Sequence, residues 1–255
     1  MLLIEYTREF FQLLAAARTY AEVGVYKGDF AMGVKRFAPR KMYLIDPWVE
    51  PALEDLIPAD YTVDPRASIK ESLRDYYPGG MSAALEQAFL KVQENFGSDP
   101  NCEIIRNTSK EAVSSFSDGS IDLLYLDGNH RYDYVLADLE RWAQKVSQGG
   151  VIIMNDCYVA HPGKKQHMSV LEALSTFLKL YDWVPIAMVN QTWTDVAIAR
   201  RNESPPIIEQ ITGMLIINNI SFTELPNHLI HAAHHRTVSL EVDGKQFTRE
   251  VLSFD

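Results

Sequence analysis

Apolar and polar positions along the chain alternate between two periods. Residues 5–18 carry apolar side chains at helical spacing, with Phe10, Phe11, Leu13 and Leu14 close to one face. A strand follows at Tyr20–Val25, then a glycine-containing turn and a helix from about Asp29 to Phe37. Lys41–Ile45, Cys102–Arg106 and Ile121–Leu126 read as further strands. Over 133–147, Val135, Leu136, Leu139, Trp142, Ala143 and Val146 recur at helical spacing, and Gly149-Gly150 offers a C-terminal stop. Val151–Met154 is a continuous apolar run, as expected of a strand covered on both faces. A helix near 168–180 and two closely spaced strands, about 184–189 and 193–199, complete the series.

Strands alternating with helices predict an α/β fold with a doubly wound, mostly parallel sheet. The last two strands lie too close together for a helical crossover, so they are expected to pair antiparallel. Residues 48–101 are far more than one crossover needs. They contain a helix from about Ser82 to Phe96 and several prolines (Pro51, Pro58, Pro65, Pro78), and read as an insertion after the second strand, placed to cover a site. Residues 203–255 read as a C-terminal extension behind a domain over 1–202, ending in a hairpin from Thr237 to Ser253 that turns at Asp243-Gly244.

Composition narrows the function classes. With 255 residues, 47% of them hydrophobic, the chain can bury a sizeable core. A formal net charge of −10 argues against non-specific nucleic-acid binding, which needs a positive field. No apolar run reaches the length of about 18 residues that a membrane span requires. The opening residues lack the basic and long apolar regions of a secretory signal. Cys102 and Cys157 fit reduced thiols, so a cytoplasmic location is expected.

The candidate chemistry begins at Glu22-Val-Gly-Val-Tyr-Lys-Gly28, where a strand turns into a helix. Glycine lets backbone come close to a ligand, and a helix start presents unpaired N–H groups. The spacing is not the G-x-G-x-x-G of a pyrophosphate loop, and an acid at the strand end would repel a pyrophosphate while suiting a ligand that carries a cation. Asp46 ends the second strand, where an acid can accept both ribose hydroxyls of an adenosine. The alternative is that Glu22 and Asp46 merely cap turns. Asp127 ends the fourth strand, and Asn155 and Asp156 end the fifth. If those strands are neighbours, two carboxylates and an amide oxygen meet in a hard-oxygen site suited to Mg²⁺. The alternative there is ordinary polar strand ends.

Glu22–Gly28, Asp46, Ile121–Asp127 and Gly149–Asp156 together resemble the class I S-adenosylmethionine-dependent methyltransferases over about residues 18–200. The resemblance implies a Rossmann-like seven-stranded sheet with a C-terminal antiparallel strand. It implies that Glu22, Gly24, Val25, Gly28 and Asp127 line S-adenosylmethionine, that Asp46 binds its ribose, and that Thr108 and Ser109 flank its adenine. Leu126–Tyr134, followed by Leu136–Leu139, is similar to a subgroup of small-molecule and sugar O-methyltransferases. That similarity implies Mg²⁺ at Asp127, Asn155 and Asp156, and a base three residues beyond the first acid, here His130. An imidazole titrating near neutrality suits removal of a hydroxyl proton whose pKa a metal lowers. The other reading of His130 is a cap on the following helix.

The expected partner is a small molecule with a hydroxyl, with no nucleic acid and no membrane, and with homo-oligomer formation left open. The rivals are an NAD-dependent oxidoreductase, which would need a third loop glycine, and a non-catalytic interaction module of the same fold. A histidine cluster at 228, 231, 234 and 235 reads as a solvated or interface helix. His161 and His167 read as a loop, and Trp48 and Tyr132 as packing aromatics.

Overall fold

The computed structural model describes residues 1–52, 77, 79–157, 169–191 and 193–254. Its strands in chain order are β1 (Leu2–Ile4), β2 (Thr19–Val23), β3 (Lys41–Ile45), β4 (Cys102–Ile105), β5 (Ile121–Leu126), β6 (Val146–Met154), β7 (Trp183–Val189), β8 (Val196–Arg200), β9 (Phe222–Glu224), β10 (His234–Val242) and β11 (Lys245–Ser253). The described α-helices are α1 (Asp29–Lys35), α2 (Met81–Phe96), α3 (Ser109–Ala112), α4 (Tyr132–Trp142), α5 (Val170–Leu180) and α6 (Ser204–Ile217).

One sheet holds nine strands in the order β4-β3-β2-β5-β6-β8-β7-β1-β9. Strands β4 to β6 run parallel, whereas β8 is antiparallel to both β6 and β7. From β2 the chain proceeds outward through β3 to β4, then returns to lay β5 on the other side of β2. The order reverses between β2 and β5, and ligands of open α/β sheets bind beyond the strand ends at such a reversal.

Alternation along each strand feeds two apolar layers. Tyr20 of β2 and Tyr125 of β5 face a cluster with Phe10, Phe11, Phe30, Val34 and Val92. Ala21, Val23 and Leu124 face the opposite cluster with Leu139, Trp142, Leu174 and Phe177. The central strands are covered on both sides, which is why Val151–Met154 reads as unbroken apolar sequence.

The α/β class, the parallel sheet and the antiparallel strand match the sequence expectation, but several details differ. The sheet has nine strands rather than seven, because β1 pairs parallel with β7 and β9 pairs antiparallel with β1. The segment 5–18 yields a 3-10 helix over Arg8–Ala15, preceded by that strand. The helix over 133–147 stops at Trp142, and Gly149 and Gly150 lie inside β6. There, a Cβ on Gly150 would stand 2.9 Å from the Ser147 carbonyl oxygen, so the close backbone favours glycine.

The boundary at 203 is not a structural break. Ile207, Ile211 and Leu215 of α6 are buried in the first core cluster, and β9 joins the main sheet. Only the β10–β11 hairpin forms a separate sheet, turning at Asp243-Gly244, both with positive φ. His228 and His231 lie in a short 3-10 helix and His234 opens β10, so the cluster shares no helical face. Residues 53–76 and 78 of the insertion, and the loop with His161 and His167, lie outside the described residues. Among the described residues, no helix is long and apolar enough to cross a membrane.

Candidate active site

The loop after β2 is built against the loop after β5. Gly24 has φ +90°, and a Cβ there would stand 1.9 Å from the backbone oxygen of Asp127. Glycine is required for this contact between two stretches of protein backbone, not for an approach to a ligand alone. The Gly24 N–H donates to the Ile45 carbonyl at 2.9 Å, and the Asp127 N–H donates to the Val23 carbonyl at 2.8 Å. Gly28, also left-handed at φ +74°, donates its N–H to the carbonyl of buried Val25 and opens α1.

Asp46 braces the same loop. Its Oδ2 accepts the Tyr26 N–H at 2.9 Å and its Oδ1 accepts the Trp48 N–H at 2.6 Å. Burial pushes its carboxyl up, against the opposing pull of those N–H donors. Each oxygen thus already serves the loop, and a ribose would have to share them. Trp48 is buried and donates its indole N–H to the Tyr26 carbonyl, so it packs beneath the loop.

Glu22 is 2% exposed and accepts the Tyr20 hydroxyl. Burial, only partly offset by that hydrogen bond and reinforced by Asp127 and Asp46, pushes its carboxyl up to about 8. Burial thus favours the neutral carboxyl, and a cationic ligand beside it would favour the ionised one. Thr108 caps α3, accepting the Glu111 N–H at 3.3 Å. The Ser109 hydroxyl donates to Asp138 Oδ1 at 2.6 Å and accepts the Trp142 indole N–H at 2.8 Å. Both side chains are therefore engaged in fixing the turn after β4.

Next to Gly24 lies a cluster of titratable groups. Asp127 Oδ1 is 3.4 Å from His130 Nε2, and Asp156 Oδ2 is 3.8 Å from the same nitrogen. One donor atom from each of these three residues lies within 4.8 Å of the others. His130 Nε2 is buried and makes no hydrogen bond. Burial alone would lower its pKa, but Asp127, Asp156 and Asp195 outweigh that and raise it. Asp156 holds a left-handed φ of +54°, and burial pushes its carboxyl up to about 6 despite His130.

The expected trio of Asp127, Asn155 and Asp156 stands at the ends of β5 and β6, and Asn155 is also tied to Asp195 ahead of β8. Asn155 is 1% exposed, and its Nδ2 donates to Asp195 Oδ1 at 3.1 Å. That bond uses the amide nitrogen and not Oδ1, the atom a cation would take, and His130 joins the two acids in the cluster. Tyr132 is half-exposed and its hydroxyl bonds Thr176.

Two residues of this neighbourhood escaped the sequence reading. Asp195 sits just before β8, fully buried. Arg8 opens the N-terminal 3-10 helix; burial would lower its pKa, yet Tyr125, Asp195, Asp127 and Asp156 raise it, so its charge is held among the acids. An arginine in a segment distant in sequence carries no motif, and only the parallel pairing of β1 with β7 brings it here.

A family model described as a methyltransferase domain matches residues 21–157, from β2 to just past β6. The chain belongs to this family. The match covers the glycine loop, Asp46, Asp127, His130, Asn155 and Asp156, and leaves Arg8 and Asp195 outside. The domain also resembles the cofactor-bound Rv0187 structure from MTB, at 12% identity over 78% of this chain and 81% of that one, with a TM-score of 0.50. A further similar structure is the 1,6-didemethyltoxoflavin-N1-methyltransferase of Burkholderia thailandensis, at 10% identity over 75% and 74% of the two chains, TM-score 0.47. An uncharacterized protein of Sinorhizobium fredii (strain NBRC 101917 / NGR234), y4gI, is 40% identical over 60 residues. The match spans 24% of this chain and only 7% of that protein.

The methyltransferase domain yields two predictions here. Gly24→Ala forces a side chain into the Asp127 backbone at positive φ and is expected to cost more than about 2 kcal/mol in urea denaturation. Gly213→Ala, where a Cβ meets nothing within 4 Å in mid-helix, should instead stabilise by about 0.5–1 kcal/mol. Equal effects at the two sites would refute the close approach.

The second concerns Glu22, whose folded value of about 8 stands above the 4.5 of an ordinary glutamate. Between those values the native state holds a proton that the unfolded chain has released. The associated stability is complete below 4.5 and is lost as pH rises through 8. Glu22→Gln cannot ionise, so its stability relative to the wild type should grow across that range. A constant difference in denaturation curves would contradict the raised value.

Proposed function

We propose that the protein is an S-adenosylmethionine-dependent O-methyltransferase whose acceptor is a hydroxyl of a small molecule, a sugar or a secondary metabolite. The observation that carries this reading is the buried Nε2 of His130, which makes no hydrogen bond and stands 3.4 Å from Asp127 and 3.8 Å from Asp156 beside the glycine loop. The donor spacing and that nitrogen fit a group that brings a proton or a cation.

S-adenosylmethionine, when bound, supplies a methyl group already activated by its sulfonium. The chain's own task is then to orient the acceptor and take its proton. Gly24 and Gly28 shape the loop, and Asp46 holds that loop by its backbone N–H groups. His130 Nε2 accepts the hydroxyl proton, and Asp127, 3.4 Å away, stabilises the imidazolium so formed. Asp127 and Asp156 would hold Mg²⁺, which supplies Lewis acidity that lowers the hydroxyl pKa. Asn155 Oδ1, which the bond from Nδ2 to Asp195 does not use, would join them as a ligand. The family match and the loop spacing both disfavour the NAD-dependent alternative.

The test is transfer of labelled methyl from S-adenosylmethionine to a panel of catechols, flavonols and nucleotide-free sugars. Methyl ethers should form, and EDTA should slow their formation. His130→Gln should keep S-adenosylhomocysteine binding by calorimetry while lowering turnover by about 10²–10⁴-fold. Binding of NAD but not of S-adenosylhomocysteine would overturn the cofactor reading. Full turnover in His130→Gln would overturn the base, and full turnover in EDTA would overturn the metal.

A further inference from the structure

Strands β6 and β8 are antiparallel with Met154 opposite Val196, so Asn155 and Asp195 face each other one step beyond the last pair. Between them runs the hydrogen bond from Asn155 Nδ2 to Asp195 Oδ1, 3.1 Å long. The other oxygen, Asp195 Oδ2, accepts the Tyr125 hydroxyl at 2.8 Å. Tyr125 and Asp195 show no exposure, and Asn155 shows 1%. A buried carboxylate with both oxygens engaged is held rigidly, because releasing either donor leaves it unsatisfied in a dry site.

This network reaches two parts of the site. On one side, the Tyr125 ring stacks on Phe30 at 4.0 Å with the planes 10° apart, and Phe30 is the second residue of α1, directly behind the glycine loop. On the other side it brackets Asp156. Asn155 precedes that acid and is fixed by Asp195, while the following Cys157 N–H donates to the Thr194 carbonyl at 2.6 Å. Asp156 itself has φ +54°, a left-handed conformation that a non-glycine residue keeps only where its surroundings impose it.

We propose that Asp195 is a positioning residue for methyl transfer: through Asn155 it holds Asp156 in place beside His130, and through Tyr125 it ties that acid to the helix behind the glycine loop. This rests on the reading of Asp127, His130 and Asp156 as the transfer site. It also accounts for the amide at 155. An amide there supplies Asp195 with a donor, which an ionised aspartate in its place could not.

The test compares Asp195→Ala, Tyr125→Phe and the exchanged pair Asn155→Asp with Asp195→Asn in the full chain. The exchange restores a donor facing an acceptor with the polarity reversed. Crystal structures give the first readout, independent of any acceptor. In Asp195→Ala, Asp156 should leave its left-handed conformation and move away from His130, and in the exchanged pair it should return.

Kinetics with whichever hydroxyl compound the wild type methylates give the second readout. Asp195→Ala should lower kcat about a hundredfold, as expected for a misplacement of about 1 Å, with unchanged S-adenosylhomocysteine affinity. Tyr125→Phe should lose less, and the exchanged pair should recover most of the rate. An Asp156 that stays in place in Asp195→Ala, or an exchanged pair as impaired as that variant, overturns the proposal. If no panel compound is methylated, the crystal structures still decide the positioning, and only the proposed function fails.

Discussion

The contact on which the site depends is that of Gly24 against the backbone of Asp127. With no Cβ in the way, the loop after β2 closes onto the loop after β5, at the point where the strand order reverses. That closure sets Asp127 beside the glycine loop, and the parallel register of β5 with β6 then brings Asp156 alongside. His130 follows three residues later and completes the cluster, its backbone oxygen tied to the Ser169 N–H ahead of α5. The glycine loop and the cluster of Asp127, His130 and Asp156 are two sides of one backbone contact.

Charge is the second constraint. Glu22, Asp46, Asp156 and Asp195 all sit largely out of water, and burial pushes each of their carboxyls up. Buried acids are tolerated when partnered. Here the partners are the hydroxyls of Tyr20 and Tyr125, the loop N–H groups and the charge of Arg8. The N-terminal 3-10 helix and β8 therefore contribute to the site's electrostatics although they lie outside the residues shared with the methyltransferase family.

Legibility in the sequence followed how local each determinant was. The central strands, the glycine loop, Asp46, Asp127, His130 and Asp156 could be read because each is marked by its own spacing or by its place at a strand end. The strand β1 escaped because three residues carry no period and gain their pairing from β7 and β9, far along the chain. The bond that fixes the Asn155 amide was not legible, because its partner Asp195 comes from across the sheet. Gly149 and Gly150 read as a helix stop, since a glycine pair signals a turn unless the bulged pairing of β5 with β6 is known. Glycine at 24 was legible as a need for close approach, but what approaches it was not.

The most direct measurement is a crystal structure with S-adenosylhomocysteine bound. The account predicts the ligand at the ends of β2 and β5, its ribose next to Asp46 and its sulfur directed toward the Asp127, His130 and Asp156 cluster. A ligand lodged elsewhere, or one whose sulfur points away from His130, would contradict it.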